Sequence, residues 1–380
     1  MLALGTVVGA VVFTSLSRSA SGSDIYLHLG LVAQQRDGEI RLGYTLYYDL
    51  LDLLSGRGDE DAVRRAAVTV LAVSYGARLA VTWTLLSLLA VGTRARVAAT
   101  LVAGVAAPLT LTPLAYFHLG KLSPVLWHNS TAVLAVPFAL LLFASTCRLM
   151  TSRAPSWALQ AGQVGLVVAS AWTKPNYVLA LVPALGLVGL GAALSAPRGE
   201  RAKRTYDLLR RVAPTGLAAA AVLLLQYVGT YSGPGLVIQG ETVRNTVAPF
   251  AVWEVWQTRF GVRILPSLFL SVVPVALLTY LVWRTRRYRY PLVLAWTSVL
   301  VGLVQFTVLA EVLDDGSVLF HGNWVWGAQL SMAVLFTLCV GMFARDFVTL
   351  GRRRWVAVSL LAFQTAMGLV FLALIPFVRL

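Results

Sequence analysis

SWALQAGQVGLVVASAWTKPNYVLALVPALGLVGLGAALS, residues 156–195, holds two apolar runs separated by Thr173-Lys174-Pro175-Asn176. Each run is long enough to cross a hydrocarbon layer as a helix. A backbone in lipid must satisfy its own polar groups, which excludes open strands. Pro175 disfavours helical geometry at Lys174, so the spacing predicts two helices meeting at one membrane surface rather than one long span. The sidedness of every later segment depends on that break. With it, the basic stretches at 94–96, 148–153, 198–211, 284–289 and 345–354 all fall on the side of the N-terminus.

The same length criterion applied outward marks spans at 2–17, 66–91, 97–117, 130–147, 156–173, 177–195, 213–231, 263–283, 291–310, 324–344 and 356–378. The expected fold is therefore all-α, a polytopic transmembrane helical bundle of about eleven spans, with 1–380 a single transmembrane domain and no internal repeat. Composition agrees: 58% of the 380 residues are hydrophobic and 12% charged, with a mean hydropathy of +0.75. A soluble core of this size could not hide so much apolar surface. Leu2–Leu16 lacks a basic leader and reads as an uncleaved first span rather than a secretory signal.

A formal charge of +15 would suggest nucleic acid in a soluble protein. Here the basic blocks hold over half of the 31 lysines and arginines and separate apolar runs, while most acidic residues and all four histidines fall opposite. Positive residues kept cytoplasmic beside anionic headgroups explain this sorting, so no nucleic-acid partner is expected. The N-terminus is then cytoplasmic, in a multi-pass plasma-membrane protein. Cys147 and Cys339 lie within or at the edge of apolar runs and read as small core residues. Tryptophans 127, 172, 253, 256 and 324 fall near the outer boundary, and 157, 283 and 355 near the inner one, as interfacial belts do.

Three outer segments exceed a hairpin's needs. In the first extracytoplasmic loop, 18–65, Ile25, Leu29 and Val32 form one stripe and Asp24, His28 and Gln35 another; further on, Leu46, Leu50, Leu53 and Leu54 oppose Asp49 and Asp52. Such amphipathic helices lie in the headgroup plane. The second long loop, 232–262, carries Arg244, Glu254 and Arg259, suited to closing a lid or simply to solvation. The third is Glu311–Asn323.

Asp24 follows the first span directly and, at helical spacing, shares a face with His28. A carboxylate there can take a proton from an attacking hydroxyl or merely cap the helix. His118, Lys121, Trp127, His128, Asn129, Ser130 and Thr131 crowd the turn before the fourth span. Cations there suit a phosphate at headgroup depth; Asn129 or Ser130 suits an N-cap. The histidines lack metal-ligand spacing, so zinc is not expected. Lys174 is costly between apolar runs unless it snorkels, pairs or meets a ligand. Arg78, deep in the second span, invites pairing with a first-loop carboxylate. His321-Gly-Asn323-Trp324, after Asp314 and Asp315, forms another outer-edge cluster. All these map to one membrane face, where converging polar groups describe a cavity open to the headgroups.

Asp24 with His28 and Gly43-Tyr-Thr-Leu-Tyr47-Tyr48, the Trp127-His128-Asn129-Ser130-Thr131 turn, and the Thr173-Lys174-Pro175-Asn176 break together resemble the GT-C superfamily of polytopic glycosyltransferases. The turn is similar to WHNPT-type turns of bacterial and archaeal members, with Ser130 in the proline position, and the break is similar to a TKPS-type motif. The resemblance covers about the first half of the chain, to Leu194. It implies transfer of a sugar from a polyprenyl-phosphate donor to an envelope glycan, lipid or protein acceptor on the extracytoplasmic face. Asp24 would be the base; His28 or His128 would orient donor or acceptor. Lys174, Lys121 or Arg244 would hold the leaving phosphate, with Asn129 and His321 also at the substrate. No cofactor is implied beyond the lipid-phosphate sugar, and a divalent metal is left open.

Two other functions fit parts of the pattern. A transporter or flippase of a lipid-linked or small anionic solute would place charges at the midplane and show related halves. An envelope-polymer ligase would use the same donor with outer arginines such as Arg244 and Arg259. An exosortase-like cysteine peptidase would need an outer cysteine, and Cys147 maps to the inner edge.

Overall fold

The computed structural model describes residues 1–18, 23–38, 46–56, 58–108, 120–231, 237–238, 241–283, 288–320 and 322–374. His118 and His321 lie outside the described residues.

Helices form in the apolar runs, except that the span read at 97–117 is helical only to Val105, Ala106–Pro108 are not helical, and 109–117 lie outside the described residues. The helices are α1 (Leu2–Leu16), α4 (Glu60–Leu88), α5 (Thr93–Val105), α6 (Ser130–Thr151), α7 (Trp157–Thr173), α8 (Asn176–Leu194), α9 (Arg201–Tyr231), α11 (Ile264–Val282), α12 (Arg289–Val308), α13 (Trp326–Asp346) and α14 (Arg354–Leu374). Between them lie the shorter α2 (Ile25–Arg36), α3 (Leu46–Ser55) and α10 (Ala251–Phe260). Among the described residues, eight helices are long and apolar enough to cross a membrane: α4, α6, α8, α9, α11, α12, α13 and α14. α1, α5 and α7 are shorter, at 15, 13 and 17 residues.

Helix starts follow local chemistry. The side chains of Asp59, Asn129 and Ser156 accept the N–H groups of Ala62, Ala132 and Leu159, satisfying donors that a helix leaves open. Pro137, Pro183, Pro214 and Pro274 sit inside helices, which neighbouring helices make tolerable in lipid. Lys174 is extended, at φ −160° and ψ 109°, and Pro175 opens α8, so the chain breaks there as expected.

α13 is the central helix, its apolar window 89% buried, whereas those of α9 and α14 are only 22% and 28% buried and line the periphery. One apolar cluster surrounds α13, with side chains of α6, α8, α11 and α12. A second joins α1, α2, α3 and α4 to the start of α6. Glycines bring α1 against α4: a Cβ at Gly5 would meet the Gly76 Cα at 2.7 Å, and one at Gly9 the Ala72 Cα at 2.9 Å.

In the chain, basic residues follow α4, α6, α8 and α13, and Arg289 opens α12. The Arg211 guanidinium donates to the carbonyls of Leu149 (2.9 Å) and Ser152 (2.6 Å), closing the end of α6.

The fold is all-α, with two short ribbons in its connecting segments: β1 (Val237–Ile238) pairs antiparallel with β2 (Glu241–Thr242), and β3 (Arg244–Val247) with β4 (Leu309–Val312). The second ribbon joins the second and third outer segments. α2 buries Ile25, Leu29 and Val32 as read, but α3 buries Tyr47 and Leu51 while Leu53 and Leu54 are exposed. The Tyr47 ring fills the inner face that the leucine count assigned elsewhere. Trp127 and Trp256 are buried rather than interfacial, Trp127 packing on Phe13 and Tyr75. Trp157 is 82% exposed, and Trp283 and Trp355 are also exposed. Among the described residues Arg78 meets no carboxylate: its guanidinium donates to the carbonyls of Ala103 (2.6 Å) and Pro124 (2.9 Å), pinning the chain ahead of α6.

Candidate functional site

The two apolar clusters meet at the start of α6, and the candidate site lies on that seam. Asp24 precedes α2, yet its side chain makes no capping bond there. Its carboxylate instead reaches the N-terminus of α6. Oδ1 accepts from the Ser130 N–H (2.8 Å) and the Ser130 hydroxyl (2.9 Å), and Oδ2 accepts from Asn129 Nδ2. His28 Nε2, one turn along α2, lies 3.2 Å from Oδ2. The backbone follows suit, with the Asp24 N–H donating to the His128 carbonyl at 2.9 Å. An anion at a helix N-terminus is favoured by the open N–H groups and the dipole.

Asn129 passes the interaction on. Its amide nitrogen faces Asp24, and its Oδ1 accepts from Lys174 Nζ at 3.1 Å as well as from the Ala132 N–H at 2.8 Å. Donor on one side and acceptor on the other fix the amide orientation from chemistry. Lys174 Nζ also donates to Thr131 Oγ1 at 2.7 Å and stands 4.6 Å over the Trp326 ring. Its side chain is 8% exposed. An ammonium so enclosed is stabilised by hydroxyl, amide and aromatic face together.

Burial lowers Lys174 to about 8, with Asp24 and Glu311 opposing the shift. Burial would raise the Asp24 carboxyl, but His28, Ser130 and Lys174 outweigh it and hold the group below its ordinary 3.8. Burial pushes His128 down to about 4, so its imidazole is neutral at physiological pH; it lies 5.5 Å from the Trp326 ring. Tyr48 places its hydroxyl 2.5 Å from His28 Nδ1. Burial raises the Tyr48 phenol, with Asp24 adding to the effect. A protonated phenol donating to Nδ1 leaves Nε2 as the N–H that faces Asp24.

Asp24, His28, His128, Asn129 and Lys174 thus come together. Lys121 is buried in the adjoining segment. Its carbonyl accepts from Gln329 Nε2 on α13, one turn beyond Trp326, and burial lowers its amine to about 8. Arg244 lies apart, exposed on β3 and paired with Asp314 at 2.5 Å. Arg259 stacks on Phe320 at 4.5 Å.

Sequence reasoning missed Glu311. It lies on β4, 9% exposed, with Oε2 accepting from Asn323 Nδ2 at 2.6 Å. Asn176, two residues beyond Lys174, donates to the Asn323 carbonyl at 2.8 Å. Burial raises the Glu311 carboxyl, while Asn323 and Lys174 oppose the shift. One signal was available: like Asp24, Glu311 is the first acidic residue after an apolar span.

Among the described residues no group of three or more His, Cys, Asp or Glu side chains is arranged to hold a metal ion. What the cluster offers is an ionised carboxylate and a buried cation linked through one amide, with a second carboxyl in electrostatic reach of the cation. No protein-family model matches the chain, and no curated protein does either.

Proposed function

We propose that this chain is a membrane glycosyltransferase of the GT-C kind, moving a sugar from a polyprenyl-phosphate donor to an envelope glycan, lipid or protein acceptor. In this reading eleven helices cross the membrane, the N-terminus is cytoplasmic and the Asp24 cluster opens to the extracytoplasmic headgroups. The observation that carries it is the Asp24–Asn129–Lys174 chain, in which an anion and a cation are held apart by one amide at one end of the bundle.

Lys174 stabilises the phosphate as charge develops on it. The acceptor oxygen attacks the anomeric carbon, the bond from that carbon to the phosphate oxygen breaks, and the electron pair leaves with polyprenyl phosphate. Asp24 receives the acceptor's proton. A carboxylate offers about four acceptor positions, and four donor contacts from Ser130, Asn129 and His28 engage this one. The Ser130 hydroxyl is a free rotor, so it is the donor that the acceptor hydroxyl displaces. An activated phosphate leaving group needs no second strong acid, in contrast to hydrolysis by a carboxylate pair.

The test is sugar transfer from polyprenyl-phosphate donors in proteoliposomes. Asp24→Asn should express normally and lose roughly a hundredfold or more in rate, the scale of a missing general base. Ser130→Ala keeps the backbone N–H and should stay within about tenfold of wild type, as expected for loss of one hydrogen bond. Unimpaired transfer by Asp24→Asn removes the mechanism. Solute uptake with no glycosylated product identifies a transporter instead.

A further inference from the structure

The two carboxyl groups near Lys174 differ in what they can still accept. Asp24 is saturated by its four donor contacts. Glu311 has only Oε2 engaged, by Asn323, and among the described residues nothing bonds to Oε1. Its backbone is fixed on both sides: it pairs with Asn245 across the β3–β4 ribbon, and its carbonyl accepts from the Leu319 N–H at 2.8 Å. Residues directly opposite in an antiparallel pair share a face, so Asn245 and Glu311 stand side by side. The turn Asn323–Val325 docks on both, Asn323 on Glu311 and Trp324 Nε1 on Asn245 Oδ1 at 3.2 Å. A carboxylate oxygen, an amide and an indole therefore line one rim, joined to the Lys174 loop through Asn176. With the Asn245 oxygen taken by Trp324, the rim offers Glu311 Oε1 as acceptor and the Asn245 amide nitrogen as donor, a pairing that suits a ligand bearing O–H groups.

We propose that Glu311 is a substrate-recognition residue whose Oε1 accepts hydroxyl groups of the sugar carried beside a phosphate at Lys174. The proposal rests on the glycosyltransferase reading above and deepens it. A hydroxyl bonded to an ionised acceptor contributes more than one bonded to a neutral group. Recognition built on such bonds discriminates strongly against a ligand lacking them.

The experiment measures binding, not turnover, with the full chain in nanodiscs. The probes are farnesyl phosphate and its mannosyl, glucosyl and arabinosyl esters. Wild type should bind at least one ester about ten- to a hundredfold tighter than farnesyl phosphate, the range expected for a charged hydrogen bond. Glu311→Gln can keep its bond from Asn323 while turning the open position into a donor. It should erase that margin and bind farnesyl phosphate at least as well as wild type. Glu311→Asp, which retains the charge but retracts the oxygen, should keep only part of the margin. A full margin in Glu311→Gln overturns the proposal, as does equal loss of both ligands with a lowered Tm, which would mark a purely structural role. Farnesyl phosphate binding with no preference for any ester in wild type overturns the proposal and leaves the phosphate site standing. Wild type that binds none of the probes overturns the glycosyltransferase reading itself, and this proposal with it.

Discussion

Asn129 bears more of the site's electrostatics than its neutral side chain suggests. It stands between a carboxylate and an ammonium, and caps α6 at the same time. Asn129→Asp would set two carboxylates face to face and disfavour ionisation of both. We expect a Tm lowered by several degrees, consistent with about 1.5–3 kcal/mol for a lost charged hydrogen bond, and transfer reduced at least tenfold. Asp24 itself has a lowered folded pKa, so its stabilisation is present above the unfolded value near 3.8 and lost as pH falls through the folded value. Lys174 carries the opposite pH signature. Its amine, lowered to about 8, is charged below that pH and neutral above it. Farnesyl phosphate binding should therefore fall as pH rises through about 8, and Lys174→Met should abolish both the affinity and that alkaline limb in a titration. The sequence made Asp24, His28, the turn at 127–131 and Lys174 legible because each marks a break in an apolar run. It could not show that Asn129 joins Asp24 to Lys174, since those contacts span 105 and 45 residues. Glu311 escaped notice for a related reason: its position depends on a ribbon between two outer segments that share no periodic signal.

At the scale of elements, helix identity was readable from length and apolarity, and helix phase was not always. α2 buries the stripe its spacing indicates, whereas α3 turns Tyr47 inward, because an aromatic ring carries as much buriable apolar surface as leucine. The close approach of α1 to α4 follows from small residues at helical spacing, Gly5 and Gly9 against Gly76 and Ala72. Side chains larger than hydrogen have no room there. Gly9→Leu should cost about 1–3 kcal/mol, as overpacking does, measurable as a lower Tm in detergent. Because α1 leads directly into Asp24, the same change should also lower transfer. An unchanged Tm would mean that the two helices part without penalty.

At the scale of the whole molecule, polar groups divide between the two ends of the bundle. One end gathers Asp24, Asn129, Lys174 and Glu311, and the other gathers the arginines of 198–211 and 345–354. Charge sorting in the sequence leads to the expectation that these two ends face opposite sides of a membrane. Single cysteines introduced at Ser23 and Thr349, in a background without Cys147 and Cys339, should be labelled from opposite sides of sealed vesicles by an impermeant maleimide. Labelling of both from one side would contradict the arrangement. The backbone bond from Asp24 to His128 joins the entry of α2 to the entry of α6 across the seam between the two apolar clusters. Its amide hydrogen can leave for deuterium only when those entries part. The exchange rate of that one proton is thus a clock for how often the seam opens.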